Sequence, residues 1–359
     1  MGSLLSFLFI GTTGDHAGHR LFTWAIARRL VEKGLSVGFL KPFGTHPVRL
    51  DEFWTDQDVV LFKEVLGLQE PFERICPYLL SKETWIQEKS GDVLKEIKTL
   101  AKELSTGKDV LLIMGSEHIF LDDVSHNVSD VSLNTELETD FILVDRYRDT
   151  AKSIYSILSA SSLLRDRIKG IILNRVPQAK LQEIRERIIP SLAKKGIPIT
   201  IALPEDPFLS FRSLGEVRNV LDGEFLCGEE SIEEPVGGMT VGSSDLKGEL
   251  LLFKRAYNKI VLLKPYPPEM EAGESRGRRS IAGILLTGGR KPASQLLASA
   301  KKANVPLILV KGDTFPVLER LEQSTPTLSI QDEAKVRRFT ELMDRDGALD
   351  TLLQTIGIH

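Results

Sequence analysis

The chain has 359 residues, more than a single hydrophobic core comfortably serves, so two domains are expected. Its 42% hydrophobic and 27% charged residues are ordinary for a globular protein, and a formal net charge of −4 argues against a nucleic-acid surface, which carries a basic excess. Two cysteines cannot build a disulfide framework or a thiolate cage, and no apolar run is long enough to span a bilayer, so a cytoplasmic protein with small buried thiols is expected.

In chain order, the apolar run Leu4–Ile10 leads into Gly11-Thr12-Thr13-Gly14-Asp15-His16-Ala17-Gly18-His19-Arg20. A helical stretch follows over Leu21–Lys33, with Phe22, Ile26 and Leu30 at helical spacing. Further apolar runs lie at Val37–Leu40, Val110–Met114, Phe141–Val144 and Ile168–Leu173, with a weaker one at Ile197–Ala202. Amphipathic stretches alternate with them, including the charged segment Lys82–Leu104. Continuous apolar strands between helices predict an α/β domain, residues 1–222, built on a doubly wound parallel sheet. Right-handed crossovers would bring Gly11–Arg20, Lys41–Gly44, Gly115–His118, Asp145–Arg148 and Asn174–Pro177 to one edge.

Beyond residue 223 the rhythm restarts and predicts a second, smaller α/β domain over 223–359. Its elements are a helical run Leu246–Tyr257, strands Ile260–Leu263, Ile281–Leu286 and Leu307–Val310, and helices Pro292–Ala303 and Pro316–Gln323. A long amphipathic helix, Asp332–Thr355, closes it. The basic loop Gly273–Ser280 reads as a solvated loop.

Strand, glycine loop and helix form the layout of a phosphate-binding P-loop, in which backbone N–H groups face phosphates at the positive end of a helix. Gly11, Gly14 and Gly18 preserve that backbone part. The lysine that reaches the terminal phosphates is replaced by His19, and the magnesium-ligating Ser/Thr by Arg20. Arg20 can hold a phosphate but cannot ligate a cation. The acid expected to end the strand Val110–Met114 is Met114, with Glu117 three residues on, so magnesium is not expected.

Other polar groups read more simply. His16, His19, His46 and His118 lack a spacing that gives them a shared face, and exposed loop histidines without a metal are expected. Asp56 and Asp58, two apart at a helix start, are expected to diverge as helix-N-terminal acids. Asp313 reads as an N-cap for the helix near Pro316.

The segment FLFIGTTGDHAGHRLFTWAIARRLVEKGLSVGFLKPFG resembles the dethiobiotin-synthetase-like P-loop family. More closely, it is similar to the branch that forms the N-terminal half of long bacterial phosphotransacetylases, where the loop ends in Gly-Lys-Ser and the next strand in Lys-Pro-x-Gly, here Lys41–Gly44. TDQDVVLFKEVLGL, GIILNRVP and GIPITIALPEDPFL resemble later landmarks of the branch. VGGMTV, GILLTGGRKP and VPLILVKGDTFPVLERLE resemble a DRTGG domain, although Lys264-Pro265 stands where its Asp-Arg should be and only Thr287-Gly288-Gly289 survives.

The resemblance implies that Lys41 contacts substrate and nucleotide phosphates and that Asn174 recognises adenine. The candidate nucleotide or anion site is therefore Gly11, Thr12, Thr13, Gly14, Asp15, His16, Gly18, His19, Arg20, Lys41, Glu117 and Asn174. A second candidate site is Thr287, Gly288, Gly289 and Asp313. The leading expectation is a non-catalytic regulatory protein that binds ATP, another adenine nucleotide or a small phosphorylated metabolite, with Arg20 and Lys41 supplying charge. It would dimerise through the DRTGG-like domain. The alternatives are an ATP-dependent ligase of the dethiobiotin or cobyrinate diamide type, and an assembly partner of a metabolic enzyme with a fossil site. Tight nucleotide binding would separate the first two from the third.

Overall fold

The computed structural model describes residues 6–14, 16–50, 53–80, 90–119, 128–241, 260–265, 281–324, 328–345 and 347–358. The chain divides into two compact units, residues 1–206 with 328–359, and residues 207–327.

The first unit contains strands β1 (Ser6–Thr12), β2 (Val37–Leu40), the short β3 (Phe43–Gly44), a hairpin of β4 (Pro47–Leu50) and β5 (Phe53–Asp56), and β6 (Tyr78–Leu79). These are followed by β7 (Val110–Met114), β8 (Asp140–Arg146), β9 (Ile168–Val176) and β10 (Ile199–Pro204). The main sheet runs β10-β9-β8-β1-β7-β2, and all its pairings are parallel. The apolar runs have no alternating polar face because the sheet is covered on both sides. Phe9 and Phe141 stack at 5.2 Å across neighbouring strands within one of these layers. The expected doubly wound α/β sheet is present, and the loops after β1, β2, β7, β8 and β9 share one edge.

Helix α1 (His19–Glu32) follows the glycine loop and is apolar on more than one side. Leu21, Phe22, Trp24, Ala25, Ile26 and Leu30 are all buried. The sheet can cover only one stripe of a helix, so the second needs another partner. Two C-terminal helices, Glu333–Asp344 and Ala348–Thr355, supply it. Phe339 meets Phe22 edge-on at 6.5 Å, Arg28 pairs with Glu333 at 3.2 Å, and Arg29 pairs with Asp344. This corrects two expectations. The C-terminal helical segment belongs to the first unit, not to the second domain of 223–359. It is also two helices, with Gly347 in the left-handed region (φ 62°) starting the second.

The second unit holds a mixed sheet of β11 (Arg212–Ser213), β12 (Glu224–Cys227), β13 (Pro235–Val241), β14 (Ile260–Pro265), β15 (Gly283–Leu286) and β16 (Leu307–Leu309). Its order is β11-β13-β14-β15-β16-β12, and among the described strands only β15 and β16 pair in parallel. The helix Ser294–Lys302 makes their crossover, so the loops after both strands lie side by side. The helical run 246–257 and the basic loop 273–280 lie outside the described residues. Among the described helices none is long and apolar enough to cross a membrane.

Candidate functional site

The glycine loop lies at the C-terminal edge of the first sheet, where β1 ends against β7 and β8. Gly18 begins α1 in the left-handed region (φ 91°), which only glycine adopts readily. A Cβ there would also strike the Asn174 amide at 2.5 Å. One at Gly14 would strike the Arg148 guanidinium at 2.5 Å. Two of the loop's glycines thus make room for the chain's own side chains.

Asn174 uses that closeness: its amide donates to the Ala17 carbonyl at 2.9 Å, and its side-chain oxygen accepts from the Arg175 N–H. The residue for which the resemblance implies adenine recognition thus ties the glycine loop to β9. On the other flank, Thr12 donates to the Gly14 carbonyl at 2.9 Å, Thr13 bonds to Asp145 at the end of β8, and Arg148 reaches the Thr13 carbonyl at 3.4 Å. His16 is exposed in the left-handed region (φ 57°), and Asp15 lies outside the described residues.

The two replaced P-loop positions differ sharply. His19 is buried, contrary to the expectation of an exposed loop histidine, and burial, together with the Arg20 charge, pushes its imidazole down to about 3. It is neutral at physiological pH and cannot act as a phosphate cation. Arg20 is charged but engaged. Its guanidinium donates to Asp58 at 3.0 Å and Glu117 at 3.1 Å, and lies 2.7 Å from His46 Nδ1.

Lys41 completes the network. It is almost fully buried, and its ammonium donates to Asp56 at 2.8 Å and Asp58 at 2.5 Å. Burial alone would strip its proton, but the two carboxylates outweigh that and raise its pKa. Burial likewise opposes the charge on Asp58, yet Lys41 and Arg20 hold its carboxyl well below the usual range. His46 stands behind them with a lowered pKa, from burial first and then from Arg20 and Lys41. Its Nε2 is 3.3 Å from Glu117, and the His46 backbone N–H donates to Asp56 at 2.8 Å.

Asp56 and Asp58 therefore converge, where divergence was expected. Asp56 is not in the helix: it ends β5 and caps α2 (Gln57–Leu66), accepting from the Asp58 N–H at 2.8 Å. The pair straddles a strand–helix junction, and the hairpin returns both acids to Lys41. Sequence spacing missed them because it assumed a helix across both positions.

The chemical consequence is a closed charge set. Two cations, Arg20 and Lys41, face three carboxylates, Asp56, Asp58 and Glu117, within the chain itself. His46, Asp56 and Asp58 have ligand atoms within 4.8 Å of one another, as a metal site would require. The Lys41 ammonium already bridges the two carboxylates, Met114 supplies no acid, and Arg20 replaces the hydroxyl ligand, so these residues do not fit a magnesium-nucleotide centre.

In the second unit, Thr287 and Thr314 are linked through their hydroxyls at 2.8 Å, joining the loops after β15 and β16. Gly288 and Gly289 donate to the Gly312 and Val310 carbonyls at 2.8 and 2.9 Å. Asp313 takes the N-cap position of a helix that starts at Thr314, earlier than expected, and its carboxylate makes no capping bond. Thr287, Gly288, Gly289 and Asp313 are thus brought to one edge.

A parallel six-stranded sheet with a glycine loop between β1 and α1 defines a P-loop-like α/β protein. The chain belongs to the AAA domain family whose pattern matches residues 7–213, and a DRTGG domain matches residues 216–324. It is similar to the phosphate acetyltransferase of Synechocystis sp., 22% identical over 360 residues, covering 95% of this chain and 50% of that protein. The phosphate acetyltransferase of Deinococcus radiodurans is 25% identical over 370 residues, with 96% and 50% covered. The chain spans about half the length of these curated relatives. Among solved structures, the MinD cell division protein of Aquifex aeolicus aligns with a TM-score of 0.35 at 15% identity, covering 57% of this chain and 84% of that one. That likeness adds nothing to the strand order already given.

Proposed function

We propose that the chain is a non-catalytic regulatory module of the kind joined to phosphate acetyltransferases, in which the P-loop scaffold persists without magnesium-dependent nucleotide chemistry. One observation carries this reading: Lys41 and Arg20 are engaged by Asp56, Asp58 and Glu117. Phosphoryl transfer needs free cations aimed at the charge that develops on the transferring group. Freeing Lys41 would leave the buried Asp56 carboxylate without a cation, which costs several kcal/mol, and freeing Arg20 would take a cation from both Asp58 and Glu117. The second domain, with its joined loops after β15 and β16, would make the contacts through which the module dimerises or meets a metabolic-enzyme partner.

The cluster of His46, Asp56 and Asp58 favours a second reading, an ATP-dependent ligase in which an incoming metal displaces Lys41. Calorimetric titration with ATP, ADP and AMP, with and without magnesium, alongside an assay for ADP release, separates the two. Under the proposal magnesium changes none of the binding curves and no ADP accumulates. Magnesium-dependent turnover would overturn it in favour of the ligase.

A further inference from the structure

Beside the closed network lie arginines of another kind. Arg146 ends β8 and Arg175 lies near the end of β9, and the strand register sets Arg146 opposite Asn174, immediately before Arg175. The Tyr147 N–H donates to the Asn174 carbonyl at 2.8 Å and fixes the two strand ends together. Both arginines are half-buried, and among the described residues neither guanidinium makes a hydrogen bond or an ion pair. Arg20, in the first turn of α1, is by contrast engaged by Asp58 and Glu117.

Two features make this pair unlike ordinary surface arginines. Arg175 stands in the left-handed region (φ 57°), which disfavours any side chain with a Cβ, at a break in the β9–β10 register. Burial and then the neighbouring Arg146 charge hold its pKa below the usual arginine value, and Glu205, exposed beyond β10, is the acid that opposes them. A half-buried like-charge pair opposed only by an exposed acid is eased when an anion comes to it. Arg148, exposed and lying over Gly14, adds a third guanidinium from the same strand end.

We infer that Arg146 and Arg175, with Arg148 at the rim, form an anion site at the β8–β9 edge that takes the phosphate group of a small free metabolite. Paired guanidinium forks match phosphate oxygens better than carboxylates spaced along a peptide. The chain's net charge of −4 offers a polyanion such as nucleic acid no extended basic surface. The site lies beside the glycine loop and needs neither His19 nor Arg20. It goes beyond the proposed function and depends on it only in that Arg20 and Lys41 are already engaged.

The test is calorimetric titration of the full chain with inorganic pyrophosphate in EDTA at low salt, repeated on Arg146→Ala, Arg175→Ala and Arg175→Gly. Pyrophosphate is expected to bind, and each alanine variant to weaken it tenfold or more. Arg175→Gly relieves the left-handed backbone, so it should melt no lower than the wild type while binding at least tenfold more weakly. A merely structural arginine would give the opposite pattern. ADP binding that is tighter than pyrophosphate, and lost in the same variants, supports the site and makes its ligand a nucleotide. Absent binding at millimolar pyrophosphate, or binding that survives both alanine changes, overturns the inference. Because magnesium is excluded throughout, neither outcome bears on the question of ATP turnover.

Discussion

Replacing Lys41 by methionine tests the closed network directly. The substitution keeps an unbranched side chain of similar bulk and removes the ammonium. In the wild type the ammonium lies 2.8 Å from Asp56 and 2.5 Å from Asp58, both almost fully buried. At an effective dielectric of about 20 each contact is worth roughly 6 kcal/mol of attraction, set against a desolvation cost of several kcal/mol per ion. Breaking a buried pair by removing one partner usually costs about 3–5 kcal/mol, and that loss is expected here.

The pH dependence gives a sharper signature. Asp58 is depressed in the folded wild type, so its stabilisation is present above the ordinary carboxylate value of about 4 and is lost as pH falls through the folded value. Without the ammonium, the carboxylate pair must take up a proton to remain buried. Its folded pKa then exceeds the unfolded one, and stability falls as pH rises through it. Urea unfolding of wild type and Lys41→Met at pH 5 and pH 8 should show a stability gap that widens with pH. Lys41→Met combined with Asp56→Asn, which keeps a capping residue for α2, should recover more than half the loss. A loss under about 1 kcal/mol, or a gap that narrows with rising pH, would refute the reasoning.

Three further outcomes are expected. Asp130 is buried and accepts from the Ser116 N–H at 2.9 and 3.1 Å, and burial pushes its carboxyl up to about 7; its folded value exceeds the unfolded one, so it costs stability as pH rises from about 4 to 7. Thermal melts should show Asp130→Asn gaining on the wild type across that window. Phe339→Ala should destabilise the first unit by about 3–5 kcal/mol while hydrogen exchange in residues 207–324 is unchanged, because Phe339 packs on Phe22. A Cβ at Gly44 would lie 2.8 Å from both Asp56 Cβ and Cys76 Sγ, so Gly44→Ala should cost about 1–3 kcal/mol in urea unfolding.

The parallel sheet was legible because strands buried on both faces read as unbroken apolar runs, as Val110–Met114 and Phe141–Val144 do. The substituted loop was legible too, since the lysine and hydroxyl positions are set by spacing from Gly11 and Gly18. What those substitutions do was not. Whether Arg20 is free or engaged depends on a hairpin that returns Asp58 from far along the chain, and no local pattern encodes that. The contact of Asn174 is hidden for a similar reason: nothing local in the sequence shows that its amide reaches the Ala17 carbonyl. The C-terminal helices were assigned by order along the chain, although α1 carries the contrary signal in its apolar residues on two sides. Arg175 gave no sequence signal, because a left-handed arginine is spelled like any other.

The return of residues 328–359 to the first unit has a consequence for synthesis. During translation the glycine loop, the sheet and α1 all leave the ribosome before the residues that cover Phe22 have been made. The whole of the second unit intervenes. It can complete its own core while the first still exposes an apolar stripe, so the earliest part of the chain to emerge is the last to be finished. A truncation that spares every site residue of the first unit but stops before Phe339 should therefore yield a protein that sticks to chaperones or to itself.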